Sequence, residues 1–386
     1  MARIAHIANL YGPKSGGLKT AMNSIAQEYT NLGHDVMLIV PGERDLVTKK
    51  PFGTVVEIKA PIIPFSGGYR IIFNTNKVKN ELKKFAPNFL EISDRTTLLR
   101  LADWAKTESI DTAFYAHERV DKVVAAFLPF LPFKKSLIDY ANQKIANKVD
   151  HIIATTEYAA TEFRQLSSSN DLNLDSKLAI SPLGVDLIHF SPKNSNSELK
   201  VKNANEQKIL LACTRFSKEK DPDFLLDIAR ACKINGTQIQ LVIAGSGPLT
   251  KKLVARAEKE DLPVSFIGFI SDKNYLAQLL ASADLFLAVG PIETFGLAAL
   301  EALASGTPVI CRDTSAITEI IDSKCGYSLP RDSSRWAEQI RNHFDLDQVA
   351  ISKFARERAE EFSWEESARK LLSRFKITEG SFQEKF

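Results

Sequence analysis

The chain has 386 residues, 44% of them hydrophobic and 25% charged. That composition excludes disordered, collagen-like and membrane-spanning classes, and the length exceeds the ~250–300 residues at which a single core stops growing, so two domains are expected. The net charge of +3, with no long basic run interleaved with aromatics, argues against a nucleic-acid partner.

The charge is uneven. Residues 1–90 hold twelve Lys and Arg against six Asp and Glu, a local +6 that leaves −3 for the rest, so the N-terminal half is the part suited to an anionic surface. The first apolar run, 3–8, reads as a buried strand and lacks the build of an export signal. A helix over 18–32, stopped by Gly33, and a strand over 35–40 complete a βαβ unit. Further strands are predicted at 55–58, 89–92, 112–116 and 151–155, and helices at 76–85, 97–107, 136–149 and 157–166. The polar stretch 186–207 reads as a linker. A second series then runs strand 208–213, helix 223–234, strand 239–244, helix 248–260, strand 264–267, helix 274–282, strand 285–289, helix 295–305 ended by Gly306, and strand 308–311. This alternation predicts an α/β protein with two Rossmann-like, doubly wound parallel-sheet domains, whose ligand lies beyond the carboxyl ends of the strands, in the cleft between them. Cys213, Cys232, Cys311 and Cys325 show no metal or redox spacing, which fits a reducing cytoplasm.

Chemistry concentrates in the loops that follow strands. Gly16-Gly17 precede the first helix, where glycines permit close approach and free amides attract a phosphate. Arg215 and Lys220 follow strand 208–213 and form a cation pair suited to a diphosphate. Asp221-Pro222-Asp223 and Asp345-Leu346-Asp347 match the D-x-D of metal-dependent transferases. The first reads better as helix capping, with Asp221 at the cap, and the second lies away from any strand end, so no metal site is expected. Gly245-Ser246-Gly247-Pro248 lacks the third glycine of a dinucleotide fingerprint, which counts against a nicotinamide enzyme, and is read as a close-approach turn. The segment Gly290 to Gly306 sets Glu293 outside a helix start, offers the amides of Phe295, Gly296 and Leu297, and buries Glu301 in an Ala/Leu-rich helix. A carboxylate in such company needs a partner or a purpose. Glu293 suits sugar hydroxyls and Glu301 a ribose diol.

The Glu-x₇-Glu pair, Arg215 with Lys220, the Gly16-Gly17 loop and the two-domain layout resemble the retaining glycosyltransferases of the two-Rossmann (GT-B) type that use UDP- or GDP-sugars. Glu91-Ile92-Ser93-Asp94-Arg95-Thr96-Thr97-Leu98 and Ala116-His117-Glu118-Arg119 resemble the actinobacterial-type mannosyltransferases that act on glycolipids from GDP-mannose. The resemblance implies that His117 lies beside the donor sugar, that Glu293 holds its hydroxyls, and that Arg215 and Lys220 clamp the pyrophosphate. It implies an acceptor domain, 1–185, completed by the helix in 363–386, a linker 186–207, and a nucleotide-sugar domain, 208–362. The reading is transfer of a hexose, with mannose favoured, to a lipid or glycolipid acceptor without cofactor or metal. The alternatives are a UDP-sugar enzyme with a soluble acceptor and a nucleotide-sugar binding protein without catalysis. Phe127, Phe130 and Phe133 beside Lys134 and Lys135, and Lys83 and Lys84 on a basic amphipathic stretch, are expected to hold the chain peripherally on the inner, anionic face of the cell membrane.

Overall fold

The computed structural model describes residues 1–12, 16–63, 68–117, 119–122, 133–166, 174–199 and 207–377. They divide into two units, one drawn from Met1–Asp121, Leu131–Gly184 and Trp364–Phe386, the other mainly from Val185–Ser363.

The first unit runs β1 (Arg3–Ala8), α1 (Gly17–Asn31), β2 (Asp35–Gly42), β3 (Leu46–Lys50), β4 (Gly53–Lys59), α2 (Thr75–Phe85), β5 (Phe89–Ser93), α3 (Leu101–Thr107), β6 (Asp111–Ala116), α4 (Lys134–Lys148), β7 (His151–Ala154), α5 (Glu157–Arg164), α6 (Leu174–Lys177) and β8 (Leu178–Ile180). Its sheet has the order β3-β4-β2-β1-β5-β6-β7-β8, and only β3 runs antiparallel to its neighbour. Strand alternation divides the sheet into two faces. Ala5, Ile7, Leu90, Ile92 and Phe114 enter the core with Leu82 and Ala105 from α2 and α3, each large side chain contributing ~1.5–3 kcal/mol when fully buried. His6, Glu91, Ser93 and Tyr115 occupy the alternate positions and bond to one another, with Glu91 also accepting from the Tyr29 hydroxyl of α1.

The second unit runs β9 (Lys208–Cys213), α7 (Asp223–Ile234), β10 (Ile239–Ala244), α8 (Thr250–Lys259), β11 (Val264–Gly268), α9 (Lys273–Ser282), β12 (Leu285–Ala288), α10 (Leu297–Ala304), β13 (Val309–Arg312), β14 (Gly326–Leu329), α11 (Ser333–Phe344) and α12 (Gln348–Glu360). Its all-parallel sheet has the order β11-β10-β9-β12-β13-β14. In both units the connection reverses direction beside the first strand, β1 or β9, which makes the carboxyl end of that strand the topological switch point.

The last described helix, α13 (Trp364–Arg374), belongs to the first unit and packs on α1. Trp364, Ala368, Leu371 and Leu372 form its buried face, with the spacing of one helical stripe. Ser367 donates to the Pro182 carbonyl at 2.5 Å.

Residues 186–199, read from their polarity as part of a linker, are instead folded into the second unit. Phe190 is buried, the turn Pro192–Asn194 lies against α9, and Arg356 of α12 donates to the carbonyls of Leu187 (3.1 Å) and Phe190 (2.7 Å). Side-chain composition does not reveal backbone groups tied down in this way. The antiparallel edge strand β3 was likewise not legible: Leu46, Val47, Lys49 and Lys50 are exposed, and the strand exists through pairing with β4 rather than through burial.

Candidate active site

In the second unit three loops leave the carboxyl ends of β9, β10 and β12. The loop after β9 is pinned from below: Thr214 N donates to Ala244 O (3.0 Å), Phe216 N to Ser246 O (3.1 Å), and Leu249 N to Phe216 O (3.0 Å). This packing gives Gly245 and Gly247, expected to line the donor cleft as a close-approach turn, a structural reason of their own. A Cβ at Gly245 would stand 1.8 Å from the Thr214 carbonyl oxygen, and one at Gly247 2.5 Å from that of Phe216. The space they leave is filled by the chain's own backbone.

Asp221, expected to cap α7, does not. It has φ +49, Pro222 takes the cap position without a side-chain bond, and the Asp221 carboxylate accepts from Arg312 Nη1 (3.2 Å) and from Arg331 (2.8 and 3.1 Å). Two guanidiniums outcompete one helix amide for a carboxylate. Asp223 faces Lys252 and Arg256 at 3.1 and 3.6 Å, and Asp347 caps α12 by accepting from Val349 N and Ala350 N.

This staple presents the cations. Arg215 is half-exposed and lies 3.6 Å from Glu219, which accepts from Ser217 Oγ at 2.5 Å. Lys220 Nζ donates to Glu293 Oε1 at 2.7 Å. The two residues predicted separately, as diphosphate clamp and sugar holder, are therefore an ion pair. Gly290 gives Glu293 room, since a Cβ there would be 3.0 Å from Oε1. Gly296, at φ +97, turns the loop into α10 against Ile317. Its carbonyl accepts from Ala299 N and Leu300 N, whereas the amides of Phe295, Gly296, Leu297 and Ala298 donate to no other described residue. The Phe295 ring itself is core, edge-on to Phe362 at 6.2 Å. Four open amides at a helix start form a concentrated anion site.

Glu301, within α10, is half-buried rather than fully buried; its carbonyl accepts from Ser305 Oγ (2.9 Å), while its carboxylate accepts from no side chain or amide among the described residues. Burial raises its carboxyl from 4.5 to about 7, with Lys273 opposing. The Cys213 thiol at the end of β9 is pushed up to about 12, first by burial and then by Glu301, which sets this carboxylate at the switch point of the sheet.

In the first unit Gly16 precedes α1, is exposed, and would meet nothing within 4 Å if it carried a Cβ. Its want of a side chain is thus unexplained by packing, in contrast to Gly245. Gly17 opens the helix. His117 follows β6 and is half-buried. Its Nε2 is 2.9 Å from Ser93 Oγ, which is 2.7 Å from His6 Nε2, and His6 Nδ1 is 3.0 Å from Glu91 Oε2. Burial, then His6 and Arg95, push His117 down to about 3, so it is neutral at ordinary pH. The sequence reading did not single out His6 or Tyr115, and it quoted Glu91 and Ser93 only as part of a longer motif. The available signal was a histidine and a glutamate inside two otherwise apolar strands.

Two family models cover the chain: Glycosyltransferase Family 4 over residues 15–188 and Glycosyl transferases group 1 over residues 194–358. A relative from Mycobacterium tuberculosis, the GDP-mannose-dependent alpha-(1-6)-phosphatidylinositol dimannoside mannosyltransferase, is 39% identical over 96% of this chain and 95% of its own. The chain belongs to the family 4, group 1 glycosyltransferases.

An alpha-monoglucosyldiacylglycerol synthase from Streptococcus pneumoniae is 24% identical over 83% of this glycosyltransferase and 74% of its own length. Among solved structures, sucrose-phosphate synthase from Thermosynechococcus elongatus superposes with TM-score 0.79 at 20% identity, covering 97% of this chain and 98% of that one. A glycosyltransferase from Rickettsia africae gives 0.74 at 18%, covering 98% and 99%. The fold is GT-B.

The proposed membrane residues of this glycosyltransferase divide. Phe127 and Phe130, like Glu118 of the histidine motif, lie outside the described residues, whereas Phe133 is 82% exposed at the start of α4. On α2, Val78 and Leu82 are buried, Lys84 pairs with Glu81 (2.7 Å), Lys77 with Asp45 (2.6 Å), and Lys79 lies over the Trp104 ring. Lys83 and Lys84 line a groove with Leu46, Val47 and Ile58. No helix of the described residues is long and apolar enough to cross a membrane.

Proposed function

We propose that this glycosyltransferase moves mannose from GDP-mannose to a hydroxyl of a lipid-linked mannoside, with retention at the anomeric carbon. The observation that carries the reading is the 39% identity, over nearly the whole of both chains, to an enzyme named for that donor and a phosphatidylinositol mannoside acceptor. The site geometry supports it. Departure of the nucleoside diphosphate builds negative charge, which Arg215, Lys220 and the open amides of 295–298 stabilise in place. A lysine has three donors, so Lys220 holds Glu293 and still reaches a phosphate oxygen, and Glu293 keeps its second carboxylate oxygen for sugar hydroxyls. Glu301 accepts from the ribose diol, and His117 lies beside the sugar. The leaving phosphate oxygen serves as base for the acceptor hydroxyl on the same face, and Asp221 and Asp223 are engaged by arginine and lysine, so turnover proceeds without a divalent ion. The acceptor domain lies peripherally on the cytoplasmic face of an anionic membrane, through the lysines of α2 and the aromatic segment ending at Phe133.

The test is mannosyl transfer by the purified chain from radiolabelled GDP-mannose to phosphatidylinositol mannosides in vesicles, with EDTA present and the anomeric configuration of the product assigned by NMR. Transfer from UDP-glucose but not GDP-mannose, an inverted product, or loss on chelation restored by magnesium would each overturn the corresponding part. Co-sedimentation that rises with anionic lipid and falls with salt is expected. Equal partitioning to neutral vesicles would refute the membrane reading.

A further inference from the structure

One face of the first sheet carries a continuous polar chain in otherwise apolar surroundings. His6 and Glu91 face each other directly across the β1–β5 pairing and are almost wholly buried, at 3% and 1% exposure. Glu91 accepts from His6 Nδ1 (3.0 Å), from the Tyr29 hydroxyl (2.7 Å) and, more distantly, from the Tyr115 hydroxyl (3.4 Å). The Tyr115 ring lies between the two imidazoles, stacked 5.3 Å from each. Burial inside a sheet is costly for an ionisable cluster, and an apolar pair would pack these positions as well, so the cluster calls for a use.

The hydrogen-bond directions follow once His6 is the neutral imidazole and Glu91 the carboxylate. An ionised carboxylate only accepts, so the single proton of His6 is then at Nδ1 and its lone pair at Nε2. Ser93 then donates its hydroxyl proton to His6 Nε2, and its oxygen accepts from His117 Nε2–H. We propose that Glu91, His6 and Ser93 are positioning residues that hold neutral His117 as the Nε2–H tautomer. The groups facing this chain are Tyr29 from α1, Tyr115 from β6 and Arg95 from the loop after β5. The two phenols donate to Glu91 or stack, and Arg95 disfavours a second proton on His117. The role in turnover rests on the reading that His117 lies beside the donor sugar. The tautomer assignment does not.

Glu91→Gln tests both. An amide at this position keeps the volume and still accepts from Tyr29, but it can donate to His6 Nδ1. That moves the His6 proton to Nε2, reverses Ser93, and leaves His117 protonated at Nδ1. Long-range ¹⁵N–¹H spectra of the histidine-labelled, ligand-free chain should show His6 as Nδ1–H and His117 as Nε2–H, exchanged in Glu91→Gln. Turnover in that variant should fall ~10²-fold, with the KM for the donor within about threefold, as expected when a general-purpose imidazole is held in the wrong tautomer. Ser93→Ala should lower kcat and uncouple the two rings, and Ser93→Thr should restore both. Wild-type spectra showing His117 as Nδ1–H, or unchanged tautomers in Glu91→Gln, would overturn the chain of control. Exchanged tautomers with unchanged turnover would leave the network standing and overturn the placement of His117 beside the sugar.

Discussion

If Glu301 meets the ribose as proposed, nucleotide affinity should depend on pH in a direction that can be worked out beforehand. Its carboxyl, raised to about 7 by burial, is largely protonated at pH 6 and largely ionised at pH 8, about 9% against 91% charged. A ribose diol donates to the ionised form, so binding selects it. If binding returns the carboxyl towards its ordinary value, the affinity for GDP rises by about tenfold, or ~1.4 kcal/mol, between those pH values. Glu301→Gln should lower affinity at pH 8 by roughly 10–100-fold, the loss of a charged hydrogen bond of ~1.5–3 kcal/mol, and by much less at pH 6. Calorimetric titration of both proteins across pH 6–8 reads this, and the phosphate's own titration cancels in the comparison. Parallel curves would show that Glu301 does not meet the nucleotide. Folding responds with the opposite sign. The folded chain holds this proton more tightly, so the contribution of Glu301 to stability is present below about 4.5 and is lost as pH rises through 7.

Lys220→Ala and Glu293→Gln should each cut kcat/KM by ~10²–10³, and the double variant by far less than the product, because the two form one unit; strict additivity in steady-state kinetics would refute the pairing. Gly245→Ala should lower the stability of the second unit by ~3 kcal/mol, since the backbone of the 214–216 loop has to move, whereas Gly16→Ala should leave thermal unfolding unchanged and weaken turnover. Equal melting temperatures for Gly245→Ala and the parent would contradict the packing argument. Asp221→Ala leaves Arg312 and Arg331 without their carboxylate and should cost ~2 kcal/mol in chemical denaturation, with turnover reduced through the displaced Lys220. Full activity in that variant would show that the staple does not position the loop.

Strand and helix order was legible because buried parallel strands are short apolar runs and the helices between them keep a 3.6-residue period. Gly33 and Gly306 mark chain turns at φ +83 and +78, as expected where only glycine is unstrained. The switch-point loops followed from that order, and with them Gly16, Arg215, Lys220, Glu293 and Glu301. What these residues do to one another was not legible, because it depends on pairings between segments distant in the chain. Lys220 meets Glu293 73 residues away, Asp221 meets Arg331 110 residues away, and His6 meets Ser93 across 87. Gly245 and Gly16 look alike in sequence, yet one is demanded by a neighbouring carbonyl and the other faces open space. Local pattern determines which elements form and which ends carry loops. Only packing decides which carboxylate has a partner, as Asp221 does in Arg312 and Arg331, and which, like that of Glu301, has none among the described residues.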